Sequence, residues 1–318
     1  MLPLSAPFVI RRVLSSLGVL FGVVVLVFVA VRIAPGDPVT SILGEHALDV
    51  DREALIRCMR LDRGTGAQFV GWLGDVGNGT FGRFCDDPDR TVRTEITRVL
   101  WPTVQLALTS LLFAIGMALP LGVVAARRPR TWVDTSALVV ALLGISIPNF
   151  WLGPMLLVAF SLGLAWLPAP GEGALSVASL VLPTVTLGTA LAAKLTRMTR
   201  ATVLDTLPEA FVVAARARGL SERAVVWRHA LRAGLTPIVS VLGMQLGALL
   251  AGAIVVEKVF ARPGLGTLLL DAIQARNYAL VQGCVLVIAM GYVIASLLAD
   301  LAYAAVDPRV RDADRGAP

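Results

Sequence analysis

The sequence predicts an all-α polytopic membrane protein with six transmembrane helices. Of the 318 residues, 56% are hydrophobic and only 16% are charged, whereas about a quarter of the residues of a soluble domain are charged. The apolar residues are concentrated in long uncharged runs, which is the pattern of membrane spans. A pair of soluble domains is therefore excluded as the organisation of this chain.

The first three spans follow from such runs. Residues 13–31 are uncharged and long enough to cross a hydrocarbon core of about 30 Å. A signal peptide has a shorter apolar run and a cleavage site of small residues, so we read this segment as an uncleaved span. The second span is predicted over 100–126. The uncharged stretch 135–171 is too long for one span, and the prolines near its end predict that the third helix stops near Gly163.

The fourth span is predicted to begin near Val177 and to run into a basic stretch that starts at Lys194. The last two spans are predicted over the uncharged runs 233–256 and 277–299. Each of these runs is long enough for one membrane-crossing helix.

The distribution of basic residues in the short loops predicts the orientation. Loop 127–134 has three arginines against one aspartate, and segment 194–232 has eight basic residues against three acidic ones. On the other side, 164–176 has a single acidic residue, and 257–276 has three basic and two acidic residues. Because basic loops stay in the cytoplasm, we expect both termini to be cytoplasmic.

This topology divides the chain into four parts. They are a first transmembrane helix (1–32), an extracytoplasmic domain (33–99), a membrane core of five helices with a cytoplasmic segment 205–233 (100–303), and a cytoplasmic tail (304–318).

The cysteines are distributed between the polar insertion and the last span. Cys58 and Cys85 both lie in the predicted extracytoplasmic domain, where the compartment is oxidising. A disulfide between them and two unpaired thiols are both open. Cys284 lies within the last span and is expected to be a small core residue.

The cytoplasmic segment has the signals of a short, well-capped helix. Thr206 or Asp205 is a candidate N-cap, with Pro208 in the first turn. Gly219 predicts a left-handed C-terminal cap, and Ser221 is the expected cap of a second helix that leads into the fifth span.

The helix itself offers a small apolar face at Phe211, Ala214 and Ala215 and a basic face at Arg216 and Arg218. Such a helix is suited to a groove on another protein. An amphipathic helix lying on the lipid headgroups is the alternative.

Several functions are excluded by residues that the chain lacks. A phosphate-binding loop ends in Gly-Lys-Ser or Gly-Lys-Thr, but the only two lysines, Lys194 and Lys258, follow Ala and Glu. The chain is therefore expected not to hydrolyse ATP and not to be an enzyme. An intramembrane serine hydrolase needs a histidine within the spans, and His46 and His229 both lie outside them. With two histidines and no metal-ligand spacing of cysteines, no metal site is expected.

An ion-coupled carrier is the competing class of transporter. Carriers place ionisable residues inside their spans, but here such residues stand only at span ends: Arg32, Lys194, Glu257 and Asp300. Lys194, Arg197 and Arg200 are expected to be anchors that reach the interface. Glu257 and Asp300 are expected to be interface or packing residues.

Polar residues within the spans are candidates for a solute pathway. Ser146, Asn149 and Gln245 are the candidates, although hydrogen bonding between helices is the more common role of such groups. Close helix packing is expected at three glycines of the fifth span: Gly243, Gly247 and Gly252.

The cytoplasmic segment also resembles a known family. The stretch Ala215-Arg-Ala-Arg-Gly-Leu-Ser221, followed by His229-Ala-Leu-Arg232 and Pro237, resembles the coupling-loop signature of ABC importer permeases, in the variant of the dipeptide, oligopeptide and nickel permeases. Further matching stretches cover nearly the whole chain: Ala34-Pro-Gly-Asp-Pro38, Leu61-Asp62, Gly79-Thr-Phe-Gly82, Phe260-Ala-Arg-Pro-Gly-Leu-Gly266, Tyr278, Val281-Gln-Gly283 and Asp307-Pro-Arg309. The chain departs from the general signature at Val213, where a glutamate is usual, and at Thr80 and Asn277.

This resemblance implies a type I ABC importer permease fold with an extracytoplasmic insertion after the first helix. It implies a subunit for dipeptide or oligopeptide import across the inner membrane of a bacterium, with nickel, haem-like ligands or another small solute as the alternative. The implied partners are a second homologous permease, two ATPase subunits that bind ATP and Mg, an extracytoplasmic binding protein and membrane lipid, without nucleic acid. The implied ATPase-coupling residues are Glu209, Ala210, Phe211, Ala214, Ala215, Arg216, Ala217, Arg218, Gly219 and Leu220.

Overall fold

The computed structural model describes residues 6–33, 36–44, 48–85, 87, 89–173 and 175–306, and these are predominantly helical. Within these ranges there is no β-strand, and one isolated β-bridge joins Arg83 and Thr91. The helices, in chain order, are α1 (Ala6–Ile33), α2 (Pro38–Leu43), α3 (Asp49–Cys58), α4 (Thr65–Gly77), α5 (Val92–Arg127), α6 (Trp132–Ser146), α7 (Asn149–Leu156), α8 (Val177–Thr206), α9 (Ala210–Ala217), α10 (Glu222–Ala224), α11 (Leu231–Ala233), α12 (Leu235–Val259), α13 (Leu265–Gln274) and α14 (Tyr278–Val306). Short π-helical stretches follow α7 and α10, at Leu157–Gly163 and Val225–Ala230.

Five of the six predicted spans are single helices. Among the described residues, α1, α5, α8, α12 and α14 are each long and apolar enough to cross a membrane. The second span begins earlier than predicted, at Val92, because Thr91 caps α5 through a hydrogen bond from the backbone N–H of Thr94 to its hydroxyl (3.3 Å).

The third predicted span is not one continuous helix. Trp132–Ser146 and Asn149–Gly163 are two helices that meet at an angle of 105°. The break lies at Ile147, whose ψ of 117° is extended, because the ring of the following Pro148 disfavours a helical conformation in the residue before it. The third span was predicted as one helix, and the structure divides it into two; its predicted end near Gly163 is confirmed.

The described residues fall into two compact units. The first contains Val104–Arg262 together with the described residues before Val13 and after Gly291, and the second contains Val13–Thr103 and Pro263–Gly291. In the first unit, Leu106 of α5, Leu195 of α8 and Ile238 of α12 are buried in one apolar core. A Cβ added to Gly188 of α8 would lie 2.8 Å from the carbonyl oxygen of Ser110 on α5, so the two helices approach closely through a small residue.

The second unit is built around an aromatic cluster. Phe28 of α1 packs edge-on against Phe69 of α4, with ring centroids 4.9 Å apart, and stacks on Trp72 at 6.2 Å. Helix α13, which the sequence analysis did not predict, belongs to this unit and buries Leu265 and Leu269.

The N-terminus of α2, also in the second unit, is capped by Asp37. Its carboxylate accepts hydrogen bonds from the backbone N–H groups of Val39 (3.1 Å) and Thr40 (3.2 Å). The pKa of Asp37 lies below its ordinary value, chiefly because the hydroxyl of Thr40 donates to the carboxylate.

Candidate functional site

The candidate site is the segment between α8 and α12, residues 207–234. The predicted N-cap of its first helix was wrong. Helix α8 continues through Thr206, whose hydroxyl donates to the carbonyl of Thr202 (2.7 Å) one turn earlier. The new helix, α9, begins at Ala210, and its N-cap is Glu209, which has an extended backbone and no side-chain hydrogen bond to the helix.

The C-terminal end of α9 is closed by a glycine cap. Gly219 has a φ of +78°, and its N–H donates to the carbonyl of Arg216 at 2.9 Å. The N–H of Leu220 reaches back to the carbonyl of Ala215 at 3.4 Å. This pair of bonds is a Schellman motif, which a residue with positive φ makes possible. The left-handed cap predicted at Gly219 is confirmed.

The second half of the segment returns the chain to the membrane. The hydroxyl of Ser221 accepts a hydrogen bond from the N–H of Ala224 (3.4 Å), as the sequence predicts for a helix cap. The helical turns 222–233 then end at Gly234, which lies against the side chain of Thr202 in α8. Helix α12 starts at the next residue. The end of the segment is therefore held close to the point where the segment leaves α8.

A small core fixes the two halves of the segment to each other. Val212 and Ala215 of α9 are buried against Val225 and Ala230, with Leu207 packed beside them. The expectation that Ala215 belongs to an exposed apolar face was therefore wrong, since its side chain is only 5% exposed. Its position one turn after Val212 brings both residues to the same, inward face of the helix.

The exposed side of α9 includes large apolar side chains. Phe211 is 46% exposed and Val213 is 51% exposed, and Leu220 after the cap is 42% exposed. The other exposed residues of the predicted coupling set are Glu209, Ala210, Ala214, Arg216, Ala217, Arg218 and Gly219, so that Ala215 is its one buried member. Val213 was not in the predicted set; it is exposed on the other side of the buried Val212 from Phe211, because residues two apart in a helix point in nearly opposite directions.

The basic face of the segment is partly neutralised. The guanidinium Nε of Arg216 donates to Glu222 at 2.8 Å, and its Nη1 donates to the carbonyl of Leu207 at 3.4 Å. Arg216 therefore ties α9 to the next helix and to the turn before it.

An ion pair joins α8, the helix that precedes the segment, to α6. Arg200 of α8 donates to Asp134 of α6 through Nε and through Nη2, the latter at 2.7 Å, and Asp134 also accepts from the backbone N–H of Arg130 (2.9 Å). Asp134 is buried, with 3% of its surface exposed. The position of Arg200 at the membrane interface stays a prediction, and the structure adds that its guanidinium forms a bidentate pair with Asp134. In the sequence, the signal for such a pair was the position of Asp134 next to a long apolar run.

The three pathway candidates make separate contacts. The hydroxyl of Ser146 donates to the carbonyl of Leu142 in its own helix (2.9 Å). Gln245 accepts a hydrogen bond from Lys194 at 3.3 Å, so Lys194 contacts α12 instead of acting only as an interface anchor. Asn149 lies at the start of α7, near Gly252 of α12. Among the described residues, no hydrogen bond joins the three side chains.

The charged residues at the end of α12 are buried. Glu257 is fully buried and Arg262 is 2% exposed, and Arg262 donates to the side chain of Gln105 at 2.8 Å. Burial lowers the pKa of Arg262, and the nearby charge of Glu257 partly offsets this. Glu257 is thus a packing residue of the first unit.

In the second unit, Cys58 and Cys85 are joined by a disulfide, with Cα atoms 5.9 Å apart. Cys284 is a free, buried thiol, as expected for a small core residue. The described residues contain no group of three or more His, Cys, Asp or Glu side chains that could hold a metal ion. Several residues of the sequence analysis lie outside the described residues: Ala34, Pro35, His46, the tail from Asp307 onward, and the side chain of Asp300.

Comparison with known proteins identifies the relatives of this chain. Residues 118–312 match the family described as "Binding-protein-dependent transport system inner membrane component". The oligopeptide transport system permease protein AppB of Bacillus subtilis is 35% identical over 313 residues, covering 96% of this chain and 99% of AppB. The glutathione transport system permease protein GsiC of Escherichia coli K12 is 39% identical over 304 residues, covering 96% and 98%.

A solved structure shares the fold. A chain of the MetNI methionine ABC transporter, crystallised in inward-facing conformations, superposes with a TM-score of 0.53 at 20% identity. The match covers 67% of this chain and 96% of the MetNI chain. The predicted ABC importer permease fold is thereby confirmed.

Proposed function

The chain belongs to the family of binding-protein-dependent transport system inner membrane components, and we propose that it is the permease subunit through which an ABC importer moves short peptides. The support for peptides is that the relatives AppB and GsiC, which align over almost their whole lengths, are named for oligopeptide and glutathione transport. Nickel and haem-like solutes remain the alternative substrates within the same importer class.

The main support for this proposal is the structure of segment 207–234. It is a short helix with a glycine cap at its end, an internal apolar core, and exposed apolar side chains at Phe211 and Val213 on its two flanks. A helix that exposes apolar side chains fits a groove on a partner protein. We infer that it contacts an ATPase subunit, which binds the ATP and Mg that this chain has no loop to hold.

The mechanism follows from how the segment is attached. Its two ends continue into α8 and α12, and Arg216 and the core around Val212 make its two halves move together. A displacement imposed on α9 by an ATPase is therefore passed to both helices. Arg200 and Asp134 connect α8 to α6, so a third membrane helix follows the same movement.

The wider assembly and orientation are part of the proposal. A second permease, two ATPases and an extracytoplasmic binding protein complete the importer. Segment 207–234 and both termini face the cytoplasm, and residues 33–99 face outward, where an oxidising compartment keeps Cys58 and Cys85 bonded. Ser146, Asn149 and Gln245 remain candidates for the wall of the pathway.

Co-purification tests the contact with the ATPase. We expect Phe211→Asp to weaken retention of the ATPases in the detergent-solubilised complex, because it places a charge in an apolar contact. The matched control is Trp166→Asp. Trp166 is 70% exposed and lies in the loop before α8, which the proposal assigns to the outer side. Equal retention in Phe211→Asp and wild type, or equal loss in both variants, would contradict the assignment.

A further inference from the structure

Lys194 reaches the middle of the membrane helices. Thr202 of α8 lies against Gly234, the residue before α12, so α8 and α12 are level with each other there. At about 1.5 Å per residue, Lys194 lies about 12 Å from that level along α8, and Gln245 lies about 16 Å from it along α12. The ammonium of Lys194 donates to Oε1 of Gln245 at 3.3 Å. Because Gln245 lies at the centre of the uncharged run 233–256, the charge is close to mid-membrane depth.

An ammonium at this depth needs water or an opposite charge beside it. Charged side chains in the centre of a span face the interior of a helix bundle or a water-filled space, because lipid does not solvate them. A lysine near a span end escapes by extending to the headgroups, but Lys194 extends toward Gln245, away from the end of α8. Its side chain is exposed. These facts favour a water-filled space next to this face of α8.

The charge of Lys194 is not balanced within the chain. An ammonium has three donors, and among the described residues its one hydrogen-bond partner is the neutral amide of Gln245. The nearby carboxylate of Asp134 is committed to Arg200. Glu257 lies at the far end of α12, about 18 Å beyond Gln245. Two donors of Lys194 therefore remain for a ligand.

The break in the third span lies close to the same depth. A Cβ added to Gly144 of α6 would lie 3.1 Å from the Cβ of Ala193, the neighbour of Lys194. The break at Ile147 follows within about 5 Å along the helix. Pro148 has no N–H for the carbonyl of Gly144, and it is exposed. Irregular backbone at membrane depth is tolerated where it is buried in protein or lines a water-filled cavity, which independently favours water at this level.

We propose that Lys194 lines the aqueous pathway of the permease and binds an anionic group of the solute in transit. This role rests on the proposed transport function and adds a specificity-determining residue to it. In a short peptide, the anion that every sequence shares is the C-terminal carboxylate, which forms charge-assisted hydrogen bonds with an ammonium. Arg197 lies one turn nearer the end of α8, is exposed, and forms no ion pair among the described residues. It offers the same group a second cation.

Thiol labelling of the complete importer in proteoliposomes tests whether Lys194 faces water. The native cysteines of this chain do not interfere, because Cys58 and Cys85 are bonded and Cys284 is buried. An anionic methanethiosulfonate reagent, which does not cross lipid, should label Lys194→Cys. The mass of this chain reports the labelling.

Val140→Cys is the matched control for depth. Val140 is 62% exposed on α6, and it lies as many residues from Asp134 as Lys194 lies from Arg200, the partner of Asp134. It should stay unlabelled, because the apolar surface around it faces lipid. An unlabelled Lys194→Cys, or equal labelling of the two variants, would overturn the proposal.

Uptake of alanyl-alanine by the same importer tests the charge. Lys194→Met should lower uptake per ATP hydrolysed about tenfold or more, since it keeps the length of the side chain but removes hydrogen bonds to a charged group. Lys194→Arg keeps the charge and should retain most of the uptake. Wild-type uptake in Lys194→Met, or equal loss in both variants, would overturn the proposal. Loss of the second permease from purified Lys194→Met would also overturn it, because Lys194 would then pair across the subunit interface.

The two proposals fail in different ways. A wild-type complex that moves no peptide contradicts the transport proposal. A wild-type complex that does move peptide, with Lys194→Cys unlabelled and Lys194→Met fully active, contradicts only the role of Lys194.

Discussion

Replacing Gly219 by valine tests the mechanical role of α9 most sharply. Gly219 has a φ of +78°, a region that costs a residue with a side chain about 1–2 kcal/mol and disfavours β-branched residues most strongly. A Cβ at this position would meet no atom within 4 Å, so the penalty comes from the backbone and not from a steric clash. One to two kcal/mol corresponds to about a 5- to 30-fold shift from the capped to the frayed end of α9.

The assay is ATP-driven peptide uptake and ATP hydrolysis by the complete importer in proteoliposomes. We expect Gly219→Val to lower uptake per ATP hydrolysed by up to that factor, because a frayed α9 transmits less of the ATPase movement. Gly219→Asn is the matched control, since asparagine tolerates the left-handed region, and it should keep most of the coupling. Wild-type coupling in Gly219→Val, or equal loss in both variants, would refute the reasoning.

Three further changes have defined outcomes. Serine at both Cys58 and Cys85 should lower the free energy of unfolding by about 3–4 kcal/mol for a disulfide that closes a loop of this length, and reduction of the non-alkylated wild type should add the mass of two hydrogens. Asp134→Asn should destabilise the protein by about 3 kcal/mol, because it breaks the pair with Arg200. This value is near the lower bound for a buried pair, since the Arg200 side chain is 22% exposed and water can partly solvate its charge. Thermal unfolding in detergent measures the effect. Gly247→Ala should cost about 1–3 kcal/mol by overpacking, since its Cβ would meet the ring of Tyr292, and the same melting assay applies.

Each of these changes has a control within the chain. Cys284→Ser should leave the reduction-dependent mass shift intact, because Cys284 is not in the disulfide. Arg197→Gln, at an exposed position of α8, should change the melting temperature little. Gly116→Ala introduces a Cβ with no atom within 4 Å and should be tolerated. A destabilisation in these controls as large as in the test variants would contradict the assigned contacts.

The positions of the membrane helices were predictable because long apolar runs are a one-dimensional signal. The glycine cap at Gly219 and the hydroxyl cap at Ser221 were predictable for a similar reason, since each depends on one residue type in a local turn. The start of α9 was not, because Thr206 has two possible local partners, and its hydroxyl bonds to the preceding turn instead of capping the next.

Features that depend on tertiary contacts could not be predicted from the sequence. The pairing of Arg200 with Asp134 joins residues 66 positions apart, and charge counting along the chain assigns Arg200 only to an interface. Similarly, α13 is too short to be recognised as a span, and its apolar face becomes interpretable only when Leu265 and Leu269 are seen to be buried. The orientation of α9, which turns Ala215 inward, depends on packing against Val225.

The most direct test of the central claim is a comparison of solute uptake with and without the partner subunits. Proteoliposomes that contain this chain alone, or with its second permease, should show no peptide accumulation under any ion gradient. Addition of the ATPases, the binding protein and ATP should produce uptake that stops when hydrolysis is blocked. Accumulation driven by this chain without the ATPases would contradict the account, because the permease would then be a carrier with its own energy coupling.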